Sequence, residues 1–492
     1  MSPSPTPSSQ ASFFTIFPSI MLPMFMAMID QTIVASALPA IGAEFGRVEQ
    51  IAWVVVYYLI ATAISAPVSG RLGDALGRRK MLVVALFVSV LGGICCALAT
   101  SLEMLVAARV LQGLGGGGLM ALSQALIGQS VAPRERAKYQ GYIASVAMSA
   151  SMMGPVVGGF LTEYAGWRWV FLLNLPLGLV AAWLVLRLPP RSGPRTPLQF
   201  DWIGLGLFSL FVWSLLAGLG QMKQPSAEGL RLALLLGALS LISVCVLLWH
   251  EKRASSPLLP LPSLRNPSIW RSDVLTMCHG AVVVSLITFI PIYLRAVRGA
   301  SAAEIGLLML PLTIGIGIGS MITGQFVSRT GWTMFAPSVA LPVVTALLVL
   351  LAFLAPAMDT LTVSLVLGLT SICLGTVMGS VHVTVLSEAG SKVLGAVSGM
   401  IQLSRSLGAA VGTTLTAIGL FTAVAALEPG MIGRLNAIMQ NTDMAVEALG
   451  GGQGAVQARH ILSNAFTYVF LVIAAFSAGG ALLAWSVPRR KI

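Results

Sequence analysis

An all-α polytopic membrane protein of fourteen spans, built as two six-helix bundles with two further helices inserted between them, is the fold this sequence predicts. Three observations carry the prediction. Of 492 residues, 56% are apolar and only 9% are charged, whereas about a quarter of an ordinary soluble chain is charged. The charges fall in clusters separated by uncharged runs such as 81–102, 110–133, 139–162 and 305–328. Each run can cross a roughly 30 Å hydrocarbon layer as a helix of about 20 residues. Finally, short sequence patterns of the first half recur in the second at one constant displacement.

Taken in order, the first span is expected at 13–38, closed by Pro39. The second, 50–69, and third, 80–100, flank the short loop GRLGDALGRRK at 70–80. Spans follow at 104–129, 139–163 and 168–188, the last ending before the Pro-rich stretch PPRSGPRTPLQFD. The inserted pair, 202–222 and 231–250, lies between that stretch and a second Pro-rich linker, ASSPLLPLPSLRNP. The second half continues with 273–295, 303–327, 333–355, 360–387, 393–425 and 463–487. The segment 393–425 exceeds a perpendicular crossing and must tilt, kink or protrude. Residues 426–462 are too polar to span and are expected outside, with a short amphipathic helix before a Gly-rich stretch.

Most of the 29 basic residues fall in alternate loops if the N-terminus is cytoplasmic, among them Arg78, Arg79, Lys80, Arg134, Arg136, Lys138, Lys252, Arg253 and the tail at 489–491. By the positive-inside rule both termini are then cytoplasmic. This topology also accounts for the net charge of +12. No basic stripe interleaved with aromatics points to nucleic acid. The N-terminal MSPSPTPSSQ has no basic n-region or cleavage site, so the first span is expected to be retained. Cys95, Cys96, Cys245, Cys278 and Cys373 lie in apolar runs without CxxC spacing and read as buried small hydrophobes.

The repeat is read from glycines. Gly70 and Gly77 recur at Gly324 and Gly331, and the same displacement carries Gly154 and Gly158 onto Gly408 and Gly412. The expected organisation is a tail at 1–12, a six-helix bundle at 13–188, and an inserted segment at 189–266. A second bundle at 267–487, with its outer loop at 426–462, and a tail at 488–492 complete the chain. Two similar bundles around a midplane site suit a transporter that opens alternately to either side.

The loop at 70–80 matches G-x-L-[AG]-D-x-x-G-R-[RK] at every fixed position. Its chemistry calls for close helix approach at Gly70, Gly73 and Gly77, an acid, Asp74, that can face a helix N-terminus, and Arg78 for an ion pair. The loop resembles the signature of the major facilitator superfamily, in which it latches the two bundles on the cytoplasmic side. Other segments are similar to the fourteen-span drug:proton antiporters of that superfamily. MIDQTIVASALP at 28–39 resembles L-D-x-T-I-V-N-V-A-L-P, with Ile29, Ala35 and Ser36 departing from it. RVLQG at 109–113 resembles R-x-x-Q-G. MGPVVGG at 153–159 resembles the core of the antiporter motif, although Ala150 replaces its first glycine. WRWVFLLNLP at 167–176 is similar to W-R-W-I-F-x-I-N-x-P. The resemblance implies the major facilitator fold and proton-coupled export of lipophilic, cationic drugs or toxic compounds by alternating access. It also implies a bacterial cytoplasmic (inner) membrane location and a monomer, with small molecules and protons as partners; the resemblance is weakest at 426–462, which is left open to an outer partner.

Asp30 is the acid expected well inside a span. A charged carboxylate there costs at least about 2.5 to 3.5 kcal/mol on insertion scales, so it needs a cation, hydrogen bonds or a proton. It can serve as proton carrier, as a static pair with Arg109, or as a substrate counter-ion. Gln112 shares a helix face with Arg109 and reads either as a cavity wall tuning Asp30 or as a helix–helix hydrogen bond. Gly154, Pro155, Gly158 and Gly159 are expected to bend the fifth span and admit a close neighbour. In the second half His279 and His382 are relay candidates or hydrogen-bonded interior histidines. Arg405, in RSLGAAVG, is open to carbonyl pairing or substrate contact. Trp53, Tyr57, Tyr58, Met24, Met26 and Met28 can furnish an adaptable apolar wall or simply pack.

Other function classes fit poorly. The chain carries no HExxH, GxSxG or P-loop and only four histidines, so no catalytic residue, metal ligand or cofactor site is expected and an enzyme is disfavoured. A dedicated proton-coupled exporter of one metabolite, lipid or siderophore stays open, as does an uncoupled facilitator or channel.

Overall fold

The computed structural model describes residues 8–45, 51–188, 201–222, 227–254, 257–428, 453–488 and 491–492. Among them are fourteen helical segments long and apolar enough to cross a membrane. The helices are α1 (Ser8–Phe45), α2 (Ala52–Leu76), α3 (Arg78–Ala97), α4 (Leu102–Ser130), α5 (Pro133–Tyr164), α6 (Arg168–Leu172), α7 (Asn174–Leu186) and α8 (Trp202–Gln221). They continue as α9 (Ala227–Glu251), α10 (Pro267–Ala296), α11 (Ala302–Thr330), α12 (Phe335–Leu354), α13 (Thr360–Glu388), α14 (Leu394–Leu427) and α15 (Gln453–Ser486). α6 and α7 are two pieces of one span, Arg168–Leu186. No strand occurs among the described residues beyond an isolated bridge between Trp332 and Lys491.

Several boundaries differ from the sequence expectation, among them the end of α2, at Leu76 rather than 69, and the start of α5, at Pro133 rather than 139. α1 runs through Pro39 to Phe45, two turns past the expected end. A membrane helix tolerates proline because neighbouring side chains and backbone adjustments satisfy the freed carbonyls. α10 begins at Pro267, before the polar residues taken as its flank, and α15 begins at Gln453. The amphipathic helix expected in the outer loop falls on 429–452, outside the described residues.

Local capping explains several ends. Ser101 caps α4 by accepting from the Met104 N–H at 3.1 Å. Ser301 and Glu304 form a capping box at α11. Asp359, outside the spans, accepts from the Thr362 hydroxyl and N–H. These bonds favour the ionised carboxylate and hold Asp359 below its usual value.

The chain packs as two compact units. The first comprises Met1–Trp213, Leu241–Ile269 and Val385–Leu403; the second comprises Ser214–Ser240, Trp270–Thr384 and Ser404–Ile492. The segment 385–403, which belongs to the second half by sequence, therefore packs with the first.

In the first unit, α4 is buried along most of its length because it offers glycine where neighbours come close. A methyl added at Gly113 would stand 2.6 Å from the Tyr58 carbonyl oxygen of α2, and one at Gly115 would stand 2.5 Å from the Ser89 nitrogen of α3. Thr62 and Ser65 of α2 both donate to the Gly113 carbonyl at 3.3 Å, joining helices where small residues permit contact. At its far end α1 is tied to α6. Glu44 accepts two bonds from Arg168 at 2.8 and 3.0 Å and one from the Trp167 indole at 2.6 Å.

The second unit repeats one contact of the first. Methyls at Gly154 and Gly158 of α5 would overlap Thr32, Ile33 and Ser36 of α1. Methyls at their displaced equivalents, Gly408 and Gly412 of α14, would overlap Met277 and Ala281 of α10. Large side chains remain exposed on many helices, including Phe87, Val156, Leu235 and Leu241, as helices bathed in lipid tails require. Among the cysteines, Cys96 is buried but Cys245 is exposed on α9. Cys95, Cys278 and Cys373 are half-buried, so the sequence reading of all five as buried holds only for Cys96; a small apolar side chain fits a lipid-facing position as well as a core one.

Candidate functional site

Four helices of the first unit bring polar side chains to one point. Asp30 lies near the middle of α1, roughly 20 Å from either end of the span Phe17–Phe45. It is only 3% exposed. Three side chains donate to its carboxylate. Arg109 Nη1 reaches Oδ2 at 2.8 Å, Gln112 Nε2 reaches Oδ1 at 2.8 Å, and Asn174 Nδ2 reaches Oδ1 at 2.7 Å. Arg109 Nη1 also donates to Gln112 Oε1 at 2.7 Å, closing a ring of three residues. Its Nε donates to the Val54 carbonyl at 3.3 Å, and its guanidinium lies 3.9 Å from the centre of the Tyr58 ring.

Each partner reaches this point for a local reason. Arg109 and Gln112 are three residues apart on α4 and so project from one face. Gly113, next to them, lets α2 approach closely enough to present Val54 and Tyr58. Asn174 opens α7 directly after Leu173, whose φ of −55° and ψ of −30° keep the backbone helical between α6 and α7. The result is an ion pair with its spare donors and acceptors matched, as buried charges require.

Sequence reasoning named Asp30, Arg109 and Gln112 but omitted Asn174 from the site. The signal was present as the N of WRWVFLLNLP, a carboxamide inside an apolar run. Of the aromatics, Tyr58 stands on the site, whereas Trp53 and Tyr57 are half-buried and pair with each other at 5.4 Å between ring centres. Met24 and Met26 are fully buried in an apolar cluster with Leu86 and Leu119. None of these lines the cleft of about 480 Å³ between α1, α5 and α7, which is bounded by Phe17, Met21, Phe25, Tyr142 and Ser149.

The segment expected as a loop at 70–80 is helical except at Gly77, closing α2 and opening α3, and it has its own geometry within the first unit. Asp74 Oδ1 accepts from Arg78 Nη2 at 2.7 Å and from the Gly395 N–H at 2.9 Å, while Oδ2 accepts from the Ala396 N–H at 2.9 Å. The carboxylate therefore sits on the N-terminus of α14, where unpaired N–H groups and the helix dipole favour an anion. Arg78 Nη2 also donates to the Ser391 carbonyl at 2.9 Å. Gly70 meets the Gly395 carbonyl so closely that no side chain fits. Gly77 has φ +103°, a backbone that favours glycine, and it both ends α2 and begins α3. Gly73 faces Leu122 of α4.

In the fifth span, Gly154 and Gly158 abut α1, but a methyl at Gly159 would meet nothing within 4 Å. Close approach therefore does not explain Gly159. Pro155 is exposed on a helix that continues through it.

In the second unit, His279 and His382 are buried within electrostatic reach of Arg405. His382 Nδ1 lies 2.9 Å from the Met378 carbonyl oxygen one turn back in its own helix. The Arg405 carbonyl packs against Gly280 of α10. A further buried acid, Asp273, is 6% exposed in the second turn of α10; the sequence expectation began that helix at this residue and so did not single it out.

Among the described residues, no group of three or more His, Cys, Asp or Glu could hold a metal ion.

Fourteen apolar helices, with an acid, arginine and amide ring buried among those of the first unit, define a multi-pass membrane protein. The profile of the Major Facilitator Superfamily matches residues 20–413, and the chain belongs to that superfamily. Among its relatives is the MFS-type transporter Rv1877 of Mycobacterium tuberculosis, 33% identical over 405 residues that make up 81% of this chain and 58% of that protein. The match thus spans little more than half of the mycobacterial relative. The multidrug transporter protein MdtP of Bacillus subtilis is 29% identical over 80% of this chain and 73% of its own length. The efflux pump dotC of Dothistroma septosporum is 33% identical over 64% of this chain and 55% of its own. Solved structures share the fold. The human organic anion transporter MFSD10 aligns with a TM-score of 0.64 at 15% identity, covering 96% of this chain and 99% of its own. The proton:xylose symporter XylE aligns at 0.63 and 14% identity, covering 98% and 97%.

Proposed function

We propose that the protein exports lipophilic, cationic drugs or toxic compounds across a bacterial cytoplasmic membrane in exchange for protons, with Asp30 as the proton-carrying group. One observation carries this reading: a mid-span carboxylate bound by Arg109, Gln112 and Asn174. The names of the relatives, multidrug transporter and efflux pump, support the cargo class.

The proposed cycle follows from the ring. A proton on Asp30 removes the charge that Arg109 is paired with. Arg109 then keeps Gln112, the Val54 carbonyl and the Tyr58 ring, and the direct tie between α1 and α4 weakens. A bundle held by that tie in one conformation and released in another changes its preference with protonation. If cargo binds best to the ionised form, proton and cargo exclude each other, and uptake of one drives release of the other. A coupling of about 1–3 kcal/mol between the two sites changes affinity about 5- to 150-fold. Asp74 on the N-terminus of α14 supplies the second element, a capping contact whose loss frees that helix start for the opposite state. The two halves, 13–188 and 267–487, with the 189–266 insert, are the bodies proposed to rock, in a protein proposed to act as a monomer.

The test is transport into inverted vesicles driven by an imposed pH gradient, with a panel of dyes and antibiotics. Asp30→Asn should insert normally and lose proton-driven export entirely; full gradient-dependent export by that variant would refute the reading. A dedicated exporter of one metabolite, lipid or siderophore shares the same coupling ring. Indifference of transport to competing lipophilic cations would favour it.

A further inference from the structure

We infer that Asp273 is a second proton-binding group of this transporter, placed toward the cytoplasmic end of α10; the inference rests on the proton-coupled reading above. Both Asp273 carboxyl oxygens are closed off from solvent, and neither has a hydrogen-bond partner among the described residues. The contrast with Asp30 decides the matter. Asp30 has an arginine and two amides, so its negative charge is met. Among the described residues Asp273 has no ion pair and no donor. A bare carboxylate so placed is strongly disfavoured, because nothing around it replaces the water it has lost. A neutral acid is the form that such a site accommodates.

Position gives that acid a use. Asp273 lies about 9 Å along the axis from the start of α10 at Pro267, on the side where the positive-inside pattern places the cytoplasm. It stands one turn before Met277 and two before Gly280, and so shares their helix face. That face meets α14, where Gly408 abuts Met277 and the Arg405 carbonyl abuts Gly280. A seam made of glycine contacts can part and re-form with little side-chain rearrangement. When it parts, water reaches Asp273 and the proton leaves toward the cytoplasm.

The charges on the helices around α10 leave Asp273 unmatched. On α10 itself, Arg271 donates to the Ser486 carbonyl, and Arg295 lies near the opposite end. α14 carries Arg405, within reach of His279 and His382. α12 carries no charged residue. α15 contacts α10 through Gly480, near Leu275 and Cys278, and its Arg459 and His460 stand roughly 30 Å further along that helix. A cationic cargo group is a poorer occupant than a proton, since the carboxyl oxygens open onto no free surface.

The experiment has two arms. The full-length protein in membranes is treated with an apolar carbodiimide, which reacts with protonated buried carboxyls, and the adduct is located by peptide mass spectrometry. An adduct on Asp273 of the unaltered protein and of Asp30→Asn is expected, whether or not any cargo is exported. In the second arm, the proton-to-cargo ratio is measured from reversal conditions in proteoliposomes. Asp273→Asn should carry one proton fewer per cargo molecule, with Asp273→Glu restoring the ratio. Absence of the adduct overturns the inference even if Asp273→Asn proves too unstable to assay. An adduct with an unchanged ratio overturns the coupling role, as does selective loss of cationic cargo with neutral cargo unaffected. Loss of all gradient dependence in the unaltered protein would instead count against the antiport reading, and the adduct reads independently of it.

Discussion

Arg109 is the residue on which the site's stability turns. It is 1% exposed and serves Asp30, Gln112, the Val54 carbonyl and the Tyr58 ring at once. Removing one partner of a buried ion pair leaves the other uncompensated, at a cost of about 3–5 kcal/mol. Arg109→Ala should therefore lower the thermal midpoint of the detergent-purified protein markedly, whereas the double variant Arg109→Ala with Asp30→Asn should recover part of the loss. Equal midpoints for the single and double variants would show that the charge left on Asp30 is not the cause. Asn174 contributes a neutral donor to the same carboxylate. Asn174→Ala should cost about 1–3 kcal/mol, as expected for leaving a buried acceptor short of a partner.

Helix contacts in this protein are set by where glycine falls, and the fifth span offers an internal control. Gly154 and Gly158 meet α1 at Thr32, Ile33 and Ser36, while Gly159 faces open space. Overpacking a tight contact costs about 1–3 kcal/mol. Gly154→Ala and Gly158→Ala should each depress stability and export by that margin, and Gly159→Ala should behave as the unaltered protein in both assays. A loss of export without loss of stability in Gly159→Ala would instead point to a partner outside the described contacts. Methyls at Gly408 and Gly412 would meet the backbone of Met277 and Ala281 rather than side-chain hydroxyls, so alanine there should cost at least as much.

For the molecule as a whole, the fourteen crossings and the bias of basic residues require an even topology. In a background with the five cysteines replaced, Ser301→Cys between α10 and α11 should react with an impermeant maleimide in intact cells. Ala254→Cys, beyond α9, should react only after permeabilisation. The reverse pattern would invert the assignment and place Asp74 and Arg78 outside. The compact units add a feature that topology does not contain. Residues 385–403 pack with the first unit, where Asp74 and Arg78 hold their backbone at Ser391, Gly395 and Ala396. The segment at 70–80 therefore acts on the start of α14, a helix of the second half by sequence.

Span number and helix order were legible in the residues because they depend on apolar run length, a local property of a chain that must cross lipid. Asp30, Arg109 and Gln112 were legible for a similar reason, since polar groups stand out inside apolar runs. Which groups would meet was not. Asn174 joins Asp30 only because the sixth span packs with its Asn174 face toward α1. Tyr58, not Tyr57, takes the guanidinium because the phase of α2 against α4 is fixed by the contact at Gly113. Asp273 was hidden by the uncertain start of α10, and only the folded chain leaves it buried without a donor among the described residues. Partner choice between helices depends on their rotation and depth, and these are set by side-chain packing across the whole bundle rather than by any one segment.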